Sequence, residues 1–231
     1  MKRGAQPVYT PVRPKKEMLM DARVYELLND QINKELYSSY LYLSFADYYE
    51  EEGLEGFANW YEIQAKEERD HALIFRNYLH ENGCKVKLLA IDQPDKEFTT
   101  FLEPLEAALE HEKYVTSLIN DIYAAAAEVK DYRTMKFLDW FIEEQQEEED
   151  NADKMITRMK LFGSDAKALY DLDQENAARV YSVPSPLAAA EEAASVSELS
   201  RPRPCGGVFS FTANPGTASL LGRDLAAGKF A

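Results

Sequence analysis

The chain has 231 residues and a formal net charge of −15 at pH 7, which is enough length for one domain with an ample core. Such an acidic chain would repel the phosphates of nucleic acids and attract cations, and it contains no apolar run of about 18 residues that would span a membrane. Cys84 and Cys205 are distant in sequence and supply no disulfide framework, so we expect a cytoplasmic protein. From the charge and the lack of a spanning segment we expect neither nucleic-acid nor membrane partners.

Two terminal extensions differ in composition from the body of the chain. Residues 1–17 are basic and carry no apolar core of a signal peptide. In residues 182–231, 27 of the 50 positions are Ala, Ser, Pro or Gly, so this segment lacks the apolar density needed to offset the entropy of ordering it. We expect both extensions to be disordered and place one folded domain at residues 18–181.

The body between the extensions reads as helices with apolar residues spaced three and four apart. The pattern predicts four long amphipathic helices at about residues 21–52, 54–82, 102–129 and 131–161, with ends uncertain by about 2 to 4 residues. A tight turn at Gly53 predicts that the first two helices form an antiparallel hairpin. The fold class is therefore predicted to be all-α, as a four-helix bundle.

The connections set the order of the helices. The segment from Gly83 to about Phe101 contains Pro94 and is too irregular for a helix, but its length of some 18 residues is enough to travel along a bundle of about 45 Å. The third helix would then run parallel to the second, and a short turn near Lys130 would send the fourth helix back. Gly163 ends the fourth helix, and residues 166–181 read as a short fifth helix with Leu169, Leu172 and Val180 as its apolar points.

Each of the four long helices carries polar residues near its midpoint, inside its otherwise apolar face. These residues are Glu35 in the first helix, Glu68 and His71 in the second, Glu112 in the third, and Gln145 and Glu148 in the fourth. A buried carboxylate loses its hydration unless something compensates it, and the midpoints of helices packed side by side lie at one level. The sequence therefore predicts a cation-binding centre in the middle of the bundle.

The ligand types indicate which cation. Residues three apart share a helix face, so Glu68 would bridge two ions while His71 binds one of them. Carboxylates from different helices together with a Glu-x-x-His pair form a dimetal site in four-helix bundles, and oxygen-rich ligation with one imidazole suits iron or manganese better than zinc. The alternative for any single glutamate is a position at the edge of the buried face, with the carboxylate reaching water.

Four segments in this order resemble the bacterial and archaeal non-haem ferritins over about residues 18–181: the run from Glu35 to Tyr42, the run from Glu67 to His71, the pair His111 and Glu112, and the run from Phe137 to Glu149. The resemblance implies that Glu35, Glu68 and His71 bind the first iron of a ferroxidase centre. It implies Glu68, Glu112 and either Gln145 or Glu148 around the second iron. The resemblance also implies a third iron site at Glu67, Glu144, Glu147 and Glu148. It implies that Tyr42 is the family's tyrosine beside the centre; the alternative is that Tyr42 is only an aromatic residue of the core.

Two differences between this sequence and related families indicate how tightly the ions are held and whether haem is bound. The fourth helix lacks a second Glu-x-x-His, so one ion should be held more weakly, and Arg69 stands after Glu68 where bacterioferritins have a haem-ligating methionine. We therefore expect iron and no haem. The resemblance implies a ferroxidase that oxidises Fe²⁺ with O₂ or H₂O₂, stores the ferric mineral and assembles as a homo-oligomeric shell of 24 subunits. The alternatives are a di-iron oxygenase or peroxidase-type enzyme acting on another substrate, and a non-catalytic acidic helical bundle.

Overall fold

The computed structural model describes residues 20–189. Five α-helices occupy most of this range: α1 (Ala22–Glu51), α2 (Glu55–Glu81), α3 (Glu103–Glu128), α4 (Tyr132–Phe162) and α5 (Ala166–Ala177). The described residues contain no β-strand, so the all-α expectation is confirmed. The four long helices begin and end within one residue of the predicted bounds. The expectations for residues 1–17 and for most of residues 182–231 lie outside the described residues.

Contacts between helix ends give the direction of each helix. At one end of the bundle Arg23, at the start of α1, pairs with Glu128, at the end of α3, with 2.7 Å between charged atoms. At the other end the Tyr49 hydroxyl, near the end of α1, donates to the carbonyl of Phe101, 2.6 Å away and just before α3. These contacts make α1 and α3 antiparallel, and the tight turn at Gly53 makes α1 and α2 antiparallel. The predicted parallel course of α2 and α3 is therefore confirmed.

Local sequence explains where the helices begin and turn. The side chains of Asp21, Asp131 and Asp165 accept hydrogen bonds from backbone N–H groups in the first turns of α1, α4 and α5, which satisfies donors that have no partner inside the helix. Gly53 lies between α1 and α2 with φ of 77°, a conformation that glycine adopts without strain. This turn gives the tight hairpin that the sequence predicts.

The apolar core consists of two clusters, one toward each end of the bundle. The first cluster takes residues from the beginning of α1 and α4 and from the end of α2 and α3, such as Leu28, Phe75 and Ile119. The second cluster takes residues from the opposite helix halves, such as Phe45 and Phe57. The buried polar residues of the helix midpoints lie between these clusters in the sequence of every helix. The packing therefore places them in one layer of the bundle.

The segment after α4 differs from the sequence expectation. The helix α5 ends at Ala177 instead of residue 181, and Val180, predicted as an apolar point of this helix, is 84% exposed. The helix α5 docks on the start of α2, where a Cβ at Gly56 would lie only 1.7 Å from the carbonyl oxygen of Asp173. A side chain at position 56 would thus push α5 away.

Beyond α5 the chain continues along α2. Residues 185–189 are helical, and Leu187 packs against the first apolar cluster. These residues belong to the segment that its composition predicts to be disordered, so the ordered part of the chain extends past residue 181. Contacts with α2 supply burial that composition alone does not reveal. Among residues 20–189, no helix is both long and apolar enough to cross a membrane.

Candidate metal centre

Six polar side chains from the four long helices are buried at mid-bundle, none with more than 7% of its surface exposed. We call them the central polar layer: Glu35, Glu68, His71, Glu112, Gln145 and Glu148. Each arises from the apolar face of its helix, because that face must pack inward and carries the polar residue with it. The structure thus buries every residue that the sequence predicts at matched depth.

Glu35, Glu68 and His71 form the compact part of this layer, which we call the histidine half-site. Each offers one ligand atom, and these atoms lie within 4.8 Å of one another. One oxygen of Glu35 accepts a hydrogen bond of 2.9 Å from the side-chain amide of Gln31. This bond fixes the Glu35 carboxylate and leaves its second oxygen free to bind another group.

Several polar atoms of the histidine half-site make no hydrogen bond with the described residues. These are Glu35 Oε2, Glu68 Oε1 and both ring nitrogens of His71. The His71 nitrogens lie 3.7 Å from Glu68 Oε2 and 3.8 Å from Glu144 Oε1, which is beyond hydrogen-bond length. Buried polar atoms are almost always paired in native proteins, so a group of unpaired atoms in which Glu35, Glu68 and His71 each offer one ligand atom within 4.8 Å of the others fits a bound cation.

The electrostatics of the histidine half-site favour the same interpretation. Burial raises the pKa of Glu35 and raises that of Glu68 well above its usual range, since the charged form loses its hydration. Burial alone would lower the pKa of His71, but Glu68, Glu144 and Glu35 together hold it well above 6.5. The metal-free site therefore retains protons that a divalent cation would displace.

The other part of the layer, Glu112, Gln145 and Glu148, is hydrogen-bonded; we call it the glutamine half-site. The Tyr42 hydroxyl donates to Glu112 Oε1, and the Gln145 amide donates to Glu112 Oε2 at 3.1 Å. The Gln64 amide donates to Glu148 Oε2 at 2.7 Å. Burial raises the pKa of Glu112 to about 7 and that of Glu148 to about 8.

Tyr42 is fully buried beside the layer. Its ring packs edge-on against His111, with 5.9 Å between ring centroids, and lies 5.6 Å from the ring of Tyr61. Burial, together with the charge of Glu112, raises the pKa of Tyr42 well above its usual range, so the hydroxyl stays protonated and donates. The core-aromatic alternative accounts for the ring, whereas the hydrogen bond to Glu112 connects the hydroxyl to a candidate ligand.

The residues predicted for a third cation are spread over a wider region. Glu144 lies beside His71, as described above, and Glu148 belongs to the glutamine half-site. Glu67 pairs with Arg179 at 2.7 Å, and burial raises the pKa of this carboxyl even though Arg179 opposes the shift. Glu147 is exposed on α4. Within residues 20–189, the compact group of possible metal ligands is the histidine half-site, so a third site remains a prediction.

Three residues that contact the candidate ligands are missing from the sequence-predicted site. Gln31 and Gln64 each lie on the buried face of a helix, four residues before Glu35 and Glu68 respectively. Their spacing was available as a signal, because an amide one turn away from a buried carboxylate is placed to donate to that layer. Arg179 gave no such signal, since it reaches Glu67 across 112 positions of sequence.

The donor set determines what the centre can do chemically. Five carboxylate or amide side chains and one imidazole suit a redox-active cation such as iron, and protein ligands of this number leave positions open for an oxidant. Two cations close together would share the negative charge of Glu68, which lies next to both half-sites: its pKa responds to Glu112 as well as to Glu35. The layer therefore fits a di-iron reaction better than a closed structural site.

Comparisons with known proteins agree with this geometry. The ferritin family model, described as a ferritin-like domain, matches residues 25–162. A probable bacterial non-heme ferritin-like protein of Haemophilus influenzae is 37% identical over 157 residues, covering 68% of this chain and 95% of the relative. A bacterial non-heme ferritin of Staphylococcus aureus is 36% identical over 163 residues, covering 71% of this chain and 98% of the relative.

Solved structures give the same result. A closed form of the Archaeoglobus fulgidus ferritin, engineered by site-directed mutagenesis, superposes with a TM-score of 0.69 at 40% identity, covering 71% of this chain and 99% of that one. An open-pore ferritin from the same hyperthermophilic archaeon superposes with a TM-score of 0.68, also at 40% identity, covering 70% of this chain and 98% of that one. The matches cover nearly the whole length of these proteins and about 70% of this chain.

Proposed function

The chain belongs to the ferritin family of iron-storage proteins, and from this premise we propose that it oxidises Fe²⁺ to Fe³⁺ at the central polar layer before storing the product. The observation that carries this proposal is the histidine half-site, whose three side chains converge within 4.8 Å. Their unpaired atoms offer a cation a set of ligands that no described protein group uses. An inert acidic bundle would have no reason to bury such a group.

In the proposed reaction, Glu35 and His71 hold one Fe²⁺, Glu112 with Gln145 or Glu148 holds the second, and Glu68 bridges them. Each Fe²⁺ would give one electron, so that the pair would reduce O₂ to H₂O₂, or H₂O₂ to two water molecules, with the uptake of two protons. Before the ions bind, Tyr42 orients Glu112 through the hydrogen bond that its hydroxyl donates. Binding of the two cations displaces the protons that burial keeps on the carboxyl groups.

The glutamine half-site would release its ion more readily. Its carboxylate oxygens already accept hydrogen bonds from Tyr42, Gln145 and Gln64, and a cation must displace these donors. Weak binding suits a ferric product that has to leave for a mineral store. We further propose a third cation position at Glu67, Glu144, Glu147 and Glu148, which would lie on the route out of the centre.

Storage requires a container, and we propose a homo-oligomeric shell of 24 subunits in the cytoplasm, by analogy with the ferritin family. The near-complete coverage of ferritin structures supports the analogy. Light scattering should give a particle of about two dozen chains. A stable monomer or dimer would contradict the shell.

A di-iron oxygenase acting on an organic substrate is the alternative that shares this centre. The cavity next to the glutamine half-site, lined by Tyr42, Trp60, Glu112 and Glu148, has a volume of about 20 Å³. That volume holds one water-sized molecule, because a single water needs about 10 to 15 Å³. A small oxidant fits this cavity, whereas an organic substrate would require the cavity to widen, which supports the oxidation of iron itself.

Anaerobic loading with Fe²⁺ followed by exposure to air tests the proposal. We expect a soluble ferric mineral containing many irons per chain, with fast oxidation of the first two per chain. A fixed limit of two irons per chain, combined with turnover of an organic compound, would support the oxygenase. Absence of stoichiometric binding would support the non-catalytic bundle.

A further inference from the structure

The segment that follows α5 is fastened to α2 by polar contacts. The Asn59 side-chain amide donates to the carbonyls of Asn176 and Arg179, at 3.1 and 3.2 Å. The Tyr181 hydroxyl donates to Asp70. We call residues 178–181 the strap. Because it is not helical, its backbone groups depend on such partners, and the contacts fix its course along α2.

Arg179 is the residue by which the strap reaches toward the centre. One guanidinium nitrogen donates to the carbonyl of Trp60 at 3.2 Å, and another donates to Glu67 Oε2 at 2.7 Å. The guanidinium also lies over the Trp60 ring, 4.0 Å from its centroid. The side chains of Arg179 and Glu67 are only 19% and 16% exposed, so the pair is screened less than a surface ion pair.

Glu67 faces the same region as His71 of the central polar layer and the neighbouring Glu144. Its carboxyl is electrostatically coupled to His71 and Glu144. The His71 Nε2 atom is buried, makes no hydrogen bond and lies 3.8 Å from Glu144 Oε1. A cation bound by Glu67 and Glu144 would therefore lie close to the Arg179 guanidinium, which neutralises the charge of Glu67. Two positive groups that share one carboxylate repel each other strongly.

We propose that Arg179 is an internal competitor for a divalent cation at Glu67, holding this carboxylate in the metal-free chain and releasing it when the cation binds. The inference rests on the proposed iron chemistry, because it concerns a cation position next to that centre. It goes further by giving the strap a role: the segment after α5 sets the affinity of this position. A cation arriving at Glu67 expels the guanidinium and removes its contact with Trp60.

Trp60 connects this exchange to access to the centre. Its side chain lines the 20 Å³ cavity beside the glutamine half-site and also a cavity of about 430 Å³ between α4 and α5 at the surface. Asn151 and Met155 line both cavities as well, so these three side chains form the wall between them. Release of Arg179 removes its contact with Trp60 in this wall. Binding of a cation at Glu67 thereby eases access to the glutamine half-site.

Titration of the full-length chain with Zn²⁺ tests the competition, since Zn²⁺ is not oxidised and absorbs no light. The chain has two tryptophans, so Trp140→Phe leaves Trp60 as the reporter of Arg179. Calorimetry measures the number of bound ions, and Trp60 emission reports whether the Arg179 guanidinium still lies over the Trp60 ring. We expect Trp60 emission to change with the ion that binds last, after the tight ion of the histidine half-site and the weaker ion of the glutamine half-site, and Glu67→Gln to remove this last class alone.

The Arg179→Ala variant should bind the last class of Zn²⁺ about five to ten times more tightly, which is the effect of removing one partly buried ion pair. Its Trp60 emission should no longer respond to Zn²⁺. Arg179→Lys, which keeps the charge but loses the planar contact with Trp60, should have intermediate affinity and covers the case in which Arg179→Ala does not fold. The matched control is Arg158→Ala, which removes a guanidinium that pairs with Glu175 of α5 and contacts no candidate ligand.

Unchanged affinity for the last class of Zn²⁺ in both Arg179 variants would overturn the competition, and so would retention of this last class in Glu67→Gln. Either result leaves the proposed function intact if the first ions still bind at the histidine half-site and Fe²⁺ is still oxidised. Loss of tight binding in the parent chain is the separate result that contradicts the proposed function.

Discussion

The two halves of the central polar layer are built from similar residues and differ in how their polar atoms are satisfied. In the histidine half-site, Glu35, Glu68 and His71 converge within 4.8 Å and leave four atoms without hydrogen bonds. In the glutamine half-site, both oxygens of Glu112 and one oxygen of Glu148 accept hydrogen bonds. The histidine half-site therefore has unpaired atoms that can bind a cation, whereas the carboxylates of the glutamine half-site already accept hydrogen bonds from protein groups.

This difference indicates how a symmetric fold obtains an asymmetric centre. A cation entering the histidine half-site relieves unpaired buried groups and sacrifices few hydrogen bonds. A cation entering the glutamine half-site must replace donors from Tyr42, Gln145 and Gln64, which costs part of its binding energy. We expect the first ion to bind tightly and remain, and the second ion to exchange.

Removal of Glu68 should have the largest effect, because the proposed reaction uses this residue as the bridge between the two irons. Glu68→Ala should lower the rate of fast Fe²⁺ oxidation by more than about a hundredfold, since removing groups that merely orient metal ligands already costs about 10- to 100-fold. The metal-free bundle should remain folded, because the change relieves repulsion among buried carboxyls. Stopped-flow oxidation and helical circular dichroism measure the two effects.

The control for that experiment is Glu143→Ala, which removes an exposed glutamate of α4. It should oxidise iron at the parent rate. If Glu68→Ala also oxidises iron at that rate, Glu68 is not the bridging ligand.

The variant Gln145→Glu tests whether the amide causes the asymmetry. It replaces the donor to Glu112 with a second carboxylate, so the glutamine half-site should bind its divalent ion about ten times more tightly and the metal-free chain should lose thermal stability. Calorimetric titration with Zn²⁺ measures the affinity. Gln146→Glu adds the same charge at an exposed neighbouring position, and an equal gain from both variants would attribute the effect to net charge alone.

A smaller effect is expected from Tyr42→Phe, which removes the other donor to Glu112 and keeps the ring in the core. The change frees one Glu112 oxygen, so Zn²⁺ binding at this half-site should tighten by about twofold to fivefold, while the oxidation of Fe²⁺ slows if the hydroxyl takes part. Tyr61→Phe is the matched control, since that ring packs 5.6 Å from Tyr42. Equal behaviour of the two variants would assign Tyr42 to the core alone.

The smallest effect concerns pH and the metal-free chain. Folding raises the pKa of Glu112 to about 7 and that of Glu148 to about 8, above the ordinary value of 4.5. The folded chain then binds protons more tightly than the unfolded chain, so this contribution to stability is complete below pH 4.5 and is lost as pH rises through 7 to 8. The melting temperature should fall by several degrees between pH 5.5 and 8.5.

Glu148→Gln should flatten that dependence, because the amide does not titrate. A metal-free parent chain that becomes more stable over the same pH range would show that the glutamine half-site is not buried as described.

The helices and the level of the polar layer could be predicted from sequence because both follow from local periodicity. Apolar residues repeat every three or four positions, and Gly53 and Gly83 mark helix ends, so the four long helices come out within one residue of their bounds. The convergence of Glu35 with Glu68 and His71 follows from the equal depth of helix midpoints. Neither inference needs a contact between residues that are far apart.

The strap and the hydrogen bonds within the layer depend on tertiary contacts. The residues from Ala178 to Tyr181 are compatible with a helix by local pattern, yet they are not helical, and contacts with Asn59, Glu67 and Asp70 hold them along α2. These bonds join positions more than 100 residues apart. Whether Glu112 and Glu148 are capped by donors is likewise decided by packing between helices, which periodicity does not contain.

The most direct test of the asymmetric centre is an anaerobic calorimetric titration of the parent chain with Fe²⁺. We expect a tight binding event at the histidine half-site and a separate event at least about tenfold weaker at the glutamine half-site, with further protons released as Glu112 and Glu148 become ligands. The tight event alone should disappear in a His71→Ala variant. A single class of equivalent sites, or two events that both survive His71→Ala, would contradict the account.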